Sequence, residues 1–175
     1  SLDASARVLI LLFDDSMHWL GVAGEAMDKQ AAVNAINSFV DPPQGGTAIF
    51  KAVSEMGTRI DGVIENFRTD LLIFKILTDG DDLDSVEEDR VRARAVVDGI
   101  RDKGGVVTLL QAGVSSQCTN ALNLDEHAVL HFTDHGSTLT NAAVASRQVS
   151  ASYREAALSR DATMQAPDFI FSPLH

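Results

Sequence analysis

The sequence is poor in cysteine, in basic residues and in long apolar runs, and each shortage excludes a class of protein. Cys118 is the only cysteine among 175 residues, which excludes an intrachain disulfide and a cysteine-based zinc site. Fourteen Lys and Arg stand against 25 Asp and Glu, and this net charge of −11 argues against nucleic-acid binding. No apolar run approaches the roughly 20 residues that span a bilayer, and no N-terminal stretch has a signal-peptide pattern. We therefore expect a cytoplasmic protein that binds neither nucleic acid nor membrane.

Apolar runs of strand length alternate with amphipathic stretches along the chain. Strands are predicted at 7–13, 18–22, 71–77, 106–111 and 128–132, and helices at 28–40, 47–67, 85–103, 117–122 and 137–158. Asp28 and Ser85 are the predicted N-caps of two helices, and Val33 and Ile36 lie on the apolar face of the first helix. This alternation predicts an α/β fold with a doubly wound, mostly parallel sheet, helices on both faces, and one domain over 1–175.

Two polar turns at predicted strand and helix ends suggest a cation site. The apolar run 71–77 ends near the acidic turn Asp79-Gly80-Asp81-Asp82, and Gly45-Gly46-Thr47 opens a helix upstream. In an open α/β sheet ligands bind beyond the carboxyl ends of the strands, and carboxylate and hydroxyl oxygens suit a hard cation. Each turn also has a structural explanation, because Asp79 can bond its own backbone and Thr47 can cap a helix.

The glycine-rich turn, followed along the chain by the acidic turn, resembles the von Willebrand factor A domain. This family is a doubly wound module of Rossmann-like topology that binds a divalent metal at one edge of its sheet. The resemblance covers about residues 5–155 and leaves 159–175 as a C-terminal tail. It implies Thr47 and Asp79 as metal ligands and Mg²⁺ or another divalent cation as the cofactor. It also implies an unidentified protein partner that binds the metal through an acidic side chain.

The family's other ligands come from an Asp-x-Ser-x-Ser loop after its first strand, and two alignments of this chain remain open. In one, 7–13 is that first strand, and Asp14 and Ser16 are ligands. His18 then replaces the second serine, and a histidine imidazole suits softer metals than magnesium. In the other, which we favour, 7–13 is the family's second strand and 18–22 its edge strand. The first strand and its loop are then absent from these residues, and metal binding is expected to be weak or absent.

The favoured alignment leaves a gap in the middle of the sheet. Buried backbone N–H and C=O groups need partners, so the gap must be repaired. Three repairs are possible: pairing of 7–13 with 71–77, insertion of the apolar triplet Phe169-Ile170-Phe171 from the tail, or a strand from a second copy in a homo-oligomer.

Together these features predict a protein-interaction module with a degenerate metal site, and not an enzyme. The chain has no Gly-x-Ser-x-Gly nucleophile turn and no Gly-Lys-Ser/Thr phosphate loop. The alternative is a magnesium-dependent phosphoryl-transfer or hydrolytic enzyme that uses four carboxylates, those of Asp14, Asp15, Asp79 and Asp81. His127, His131 and His135 recur every four residues, and on a strand this spacing is too long for one metal, so we expect structural or surface histidines.

Overall fold

The structure, a computed structural model, describes residues 6–21, 25–39, 46–67, 72–78, 81–112 and 116–132, and at 63–67, 126 and 132 it describes the backbone only. The chain divides into two compact units. The first contains residues up to 68 together with 82–93, and the second contains 69–81 together with the chain from 94 onwards. The predicted helix at 137–158 and the tail at 159–175 lie outside the described residues.

The second unit contains a three-stranded parallel sheet. Its strands are β3 (Ile73–Thr78), β4 (Val106–Ala112) and β5 (Val129–Phe132), in the order β3-β4-β5. The central strand β4 is buried on both faces, as expected for a parallel strand covered on both sides. In β3 buried and exposed residues alternate, and Leu77 is 55% exposed. The predicted strands at 71–77, 106–111 and 128–132 are confirmed with small shifts of their ends.

A long helix connects β3 to β4 and ends at a pair of glycines. This helix, α3, covers Glu87–Asp102. Gly104 has a φ of 75°, a left-handed conformation that glycine adopts without strain. The Gly105 amide donates to the Ile100 carbonyl and the Gly104 amide to the Arg101 carbonyl, both at 2.8 Å, which is the Schellman arrangement that satisfies the last carbonyls of a helix.

An antiparallel hairpin opens the first unit. It consists of β1 (Leu11–Phe13) and β2 (Met17–Trp19), and Leu12 faces His18 across the pair. Within the first unit, β1 pairs with β2. A strand followed at once by an antiparallel neighbour is the arrangement that the second alignment predicts for this segment.

Two helices of the first unit differ sharply in burial. In α1 (Lys29–Ser38) the predicted cap is confirmed, because the Asp28 carboxylate accepts from the Ala31 amide at 2.8 Å. Two residues of its predicted apolar face are exposed, Val33 to 42% and Ile36 to 53%. In α2 (Ile49–Phe67), by contrast, Ile49 and Phe50 are fully buried. A short helix, α4 (Gln117–Ala121), and a 3₁₀ turn at Glu126–Ala128 precede β5.

These elements confirm the α/β class with a parallel sheet. None of the helices within the described residues is long and apolar enough to cross a membrane.

Candidate metal centre

Asp14 and Ser16, the candidate ligands of the first loop, form the turn of the β1–β2 hairpin. The Asp14 carboxylate accepts from the Ser16 amide at 2.6 Å, and the Asp14 amide donates to the Ser16 carbonyl at 3.1 Å. The Ser16 hydroxyl donates to the exposed Asp15 carboxylate at 3.0 Å. His18 Nε2 lies 3.8 Å from Asp14 Oδ1. An aspartate that bonds the amide two residues ahead closes a turn by itself, so the local chemistry of this loop is that of a hairpin.

Thr47 is close to that hairpin in the first unit. The Ala48 amide donates to the Asp14 carbonyl at 3.0 Å, which brings the end of β1 next to the start of α2. The Thr47 carbonyl accepts from the amides of Leu83 at 2.8 Å and Asp84 at 3.4 Å. Within the described residues its hydroxyl makes no hydrogen bond. Thr47 is therefore not the side-chain cap of α2.

The cap of α2 comes from a loop more than 30 residues further along the chain. The Asp82 carboxylate, in a residue only 3% exposed, accepts from the Phe50 amide at 3.2 Å and from the Ser85 hydroxyl at 2.6 Å. The Ser85 hydroxyl in turn accepts from the Lys51 amide at 3.1 Å. Two amides that a helix leaves unpaired at its N-terminus are thus satisfied, and the negative charge of Asp82 suits the helix dipole.

Ser85 was predicted to be the N-cap of α3, and this prediction is wrong. The helix begins at Glu87, and the Asp89 carboxylate accepts from the Val86 amide at 3.2 Å. The Ser85 hydroxyl is instead engaged with Asp82 and Lys51. Local sequence favoured a serine cap, and the long-range contact with α2 prevailed.

Gly46 allows the two loops of the first unit to approach. A Cβ at Gly46 would overlap the Asp84 carboxylate, so any other residue there would require the Asp84 side chain to move. The Gly-Gly-Thr turn thus has a packing reason for at least its second glycine.

At the carboxyl edge of the parallel sheet, polar residues occupy one row across the three strands. Thr78 pairs with Gln111 and Gln111 with His131, and residues paired in this way point to the same face. Gln111 is fully buried, and its side-chain amide donates to the Asp81 carboxylate at 3.2 Å. This contact holds the end of the acidic turn against β4. Asp79, the predicted ligand in that turn, lies outside the described residues.

The candidate ligands that the structure describes are Asp14, Ser16 and Thr47. No group of three or more His, Cys, Asp or Glu side chains in the described ranges is placed to hold a metal. The Asp14 carboxylate and the Ser16 hydroxyl each make a hydrogen bond within their own turn. Asp14 and Thr47 are brought together through the Ala48 amide, whereas Ser16 is exposed.

Sequence reasoning missed Asp82 and Gln111 as organising residues of these loops. For Asp82 the available signal was its place at the end of an acidic turn, four to five residues before a helix, where a carboxylate can reach another helix start. For Gln111 the signal was a polar residue at the end of an otherwise apolar strand.

Comparison with known proteins adds the fold family. No protein-family model and no curated protein matches the chain. The chain is similar to a solved von Willebrand factor type A protein from Catenulispora acidiphila, with 18% identity and a TM-score of 0.55. The match covers 89% of this chain and 34% of that one, so the chain spans about a third of the length of that structure. At this identity the likeness concerns the fold.

Proposed function

We propose that this chain, which has the fold of a von Willebrand factor A domain, is a protein-interaction module whose divalent-metal site is incomplete. The observation that supports the incomplete site is the Asp14–Ser16 hairpin. Both residues are bonded within a tight turn between antiparallel strands, which supports the alignment in which 7–13 is the second strand of the family and the Asp-x-Ser-x-Ser loop is absent. Only Thr47 and Asp79 then remain as ligands.

Weak metal binding is the measurable consequence. With two ligands to replace the hydration shell, Mg²⁺ or Mn²⁺ should bind no more tightly than the millimolar range. Titration calorimetry measures this affinity in the unmodified chain and in Thr47→Ala and Asp79→Ala. Glu25→Gln is the matched control, because it removes one exposed charge away from the loops. Micromolar binding that is lost in Asp79→Ala would contradict the proposal and would favour Asp14 and Ser16 as true ligands.

The enzyme alternative has a separate test. A magnesium-dependent enzyme that uses Asp14, Asp15, Asp79 and Asp81 should hydrolyse a simple aryl phosphate, and Asp14→Ala should abolish that activity. We expect no turnover above the uncatalysed rate with or without Mg²⁺. Turnover that disappears in Asp14→Ala and persists in Glu25→Gln would establish the alternative.

A further inference from the structure

Three large apolar side chains are exposed within nine residues of the first unit. Leu83 is 74%, Val86 57% and Val91 63% exposed, and they make up half of the six large apolar residues exposed in the described part of the chain. Single exposed apolar residues are common, but a concentration of them marks an interaction surface. We call the exposed side chains of Leu83, Asp84, Val86, Glu87, Glu88 and Val91 the 83–91 surface.

The backbone beneath this surface is held by long-range hydrogen bonds. The Leu83 amide donates to the Thr47 carbonyl at 2.8 Å, and the neighbouring Asp82 is buried against the start of α2. Ser85 is bonded on both sides, to Asp82 and to the Lys51 amide. Leu83 and Val86 are therefore presented by a fixed loop. A partner that docks on a fixed loop does not have to order it, which lowers the entropic cost of binding.

The apolar side chains are surrounded by carboxylates. Asp84, Glu87 and Glu88 are exposed, and Val91 follows Glu87 and Glu88 by four and three residues, which places it on the same face of α3. Residues 81–93 contain six carboxylates and two arginines. One of these arginines is Arg90, whose guanidinium nitrogen lies 3.5 Å from a carboxylate oxygen of Glu87, so part of the acidic charge is already paired. The guanidinium carbon of Arg90 also lies 5.4 Å from the centroid of the Phe50 ring.

Arg92 on α3 and Lys51 on α2 add exposed positive charge in the same unit, so the three exposed carboxylates of the 83–91 surface exceed these two exposed bases by one. The chain as a whole adds a negative field of −11 charges. An acidic partner segment would meet repulsion here, whereas a basic one would be attracted and would neutralise charge on binding.

We propose that the 83–91 surface docks a segment of a partner protein in which lysine or arginine side chains flank apolar ones. The apolar residues would cover Leu83, Val86 and Val91, and the basic residues would pair with Asp84, Glu87 and Glu88. This docking needs no metal, so it goes beyond the proposed function and differs from the acidic partner that metal coordination would require.

The test uses two short labelled peptides, one of alternating lysine and leucine and one of alternating glutamate and leucine. Fluorescence anisotropy is followed with the full chain in the presence of a chelator. The basic peptide should bind and the acidic one should not. Leu83→Ser with Val86→Ser should weaken binding at least about fivefold, as expected when buried anchor side chains are removed.

Matched controls separate this surface from general attraction. Val33→Ser with Ile36→Ser removes two exposed apolar side chains from α1 and should change the affinity by less than about twofold. Glu87→Gln with Glu88→Gln should weaken binding more than Glu25→Gln with Asp15→Asn does, although both pairs remove two charges. In the unmodified chain, amide chemical-shift changes on adding the basic peptide should concentrate at 83–91.

Four results would overturn the proposal. In the first two, the basic peptide does not bind, or the acidic peptide binds equally well. In the third, the test pairs and the control pairs of substitutions lose the same affinity for the basic peptide. In the fourth, the chain forms a concentration-dependent dimer that disappears in Leu83→Ser with Val86→Ser. The last result would identify a second copy of the chain as the occupant. None of them bears on the metal titration, because the chelator removes divalent cations from this experiment. Circular dichroism confirms that each variant is folded.

Discussion

The helices α1 and α2 lie in the same compact unit and each has an apolar face, but they differ in how much of that face is buried. In α1 only Ala32 is buried, and Ile36 is 53% exposed. In α2 the apolar residues of the first turns are buried, and Phe50 has no exposed surface. The N-terminal caps also differ. The cap of α1 is Asp28, the residue directly before the helix, whereas the cap of α2 is Asp82 from a distant loop. Periodicity identifies the apolar face of a helix, and long-range contacts decide whether that face is buried.

The largest expected effect contrasts one apolar residue from each helix. Phe50→Ala should lower the free energy of unfolding by about 3–5 kcal/mol, because it removes a fully buried ring and leaves a cavity. Ile36→Ala should change it by no more than about 0.5 kcal/mol, since its side chain is already half in water. Urea denaturation followed by circular dichroism measures both. Losses of similar size in the two variants would show that the face of α1 is covered in solution.

The two caps give the next largest difference. Asp82→Ala should lower the free energy of unfolding by about 2 kcal/mol, because it leaves the Phe50 amide and the Ser85 hydroxyl unsatisfied in a buried place. Asp28→Ala removes an exposed cap of α1 and should lower it by about 0.5–1 kcal/mol. The same denaturation experiment compares them. A larger loss in Asp28→Ala would mean that local capping outweighs the long-range contact.

A third experiment extends the comparison from helices to strands. If the apolar triplet Phe169-Ile170-Phe171 repairs the gap left by a missing strand, deletion of 166–175 should lower the melting temperature by several degrees or change the oligomeric state, because backbone groups would lose their partners. Scanning calorimetry and sedimentation measure the two outcomes. Deletion of 172–175 alone, which keeps the triplet, is the control. A monomer of unchanged stability after the longer deletion would eliminate the tail as the repair.

Local signals predicted most of the elements. The alternation of strands and helices and the Asp28 cap depend on neighbours in sequence, and both are found within the described residues. The predictions that failed depend on distant residues. Ser85 was expected to cap α3 and instead bonds Asp82 and Lys51, and the apolar face predicted for α1 leaves Ile36 exposed.

The candidate site was predicted less well than the fold, for a physical reason. A ligand set needs several loops in fixed relative positions, whereas sequence spacing reports each loop alone. The pattern of Asp14 and Ser16 has the form of a metal loop, yet in the structure the same two side chains close a hairpin. The assignments of Thr47 and Asp79 as ligands stay predictions that the calorimetric titration tests.

The distant cap of α2 also affects the order in which the chain can fold. Asp82 follows Phe50 by 32 residues, and Ser85 follows Lys51 by 34. During synthesis α2 leaves the ribosome before the loop that completes its first turn, because chains emerge from the N-terminus. The start of α2 therefore remains uncapped until β3 and the residues after it have emerged, and closing this long loop carries an entropic cost that a local cap avoids. A nascent chain that ends before residue 82 should show faster amide exchange at Phe50 and Lys51 than the complete chain.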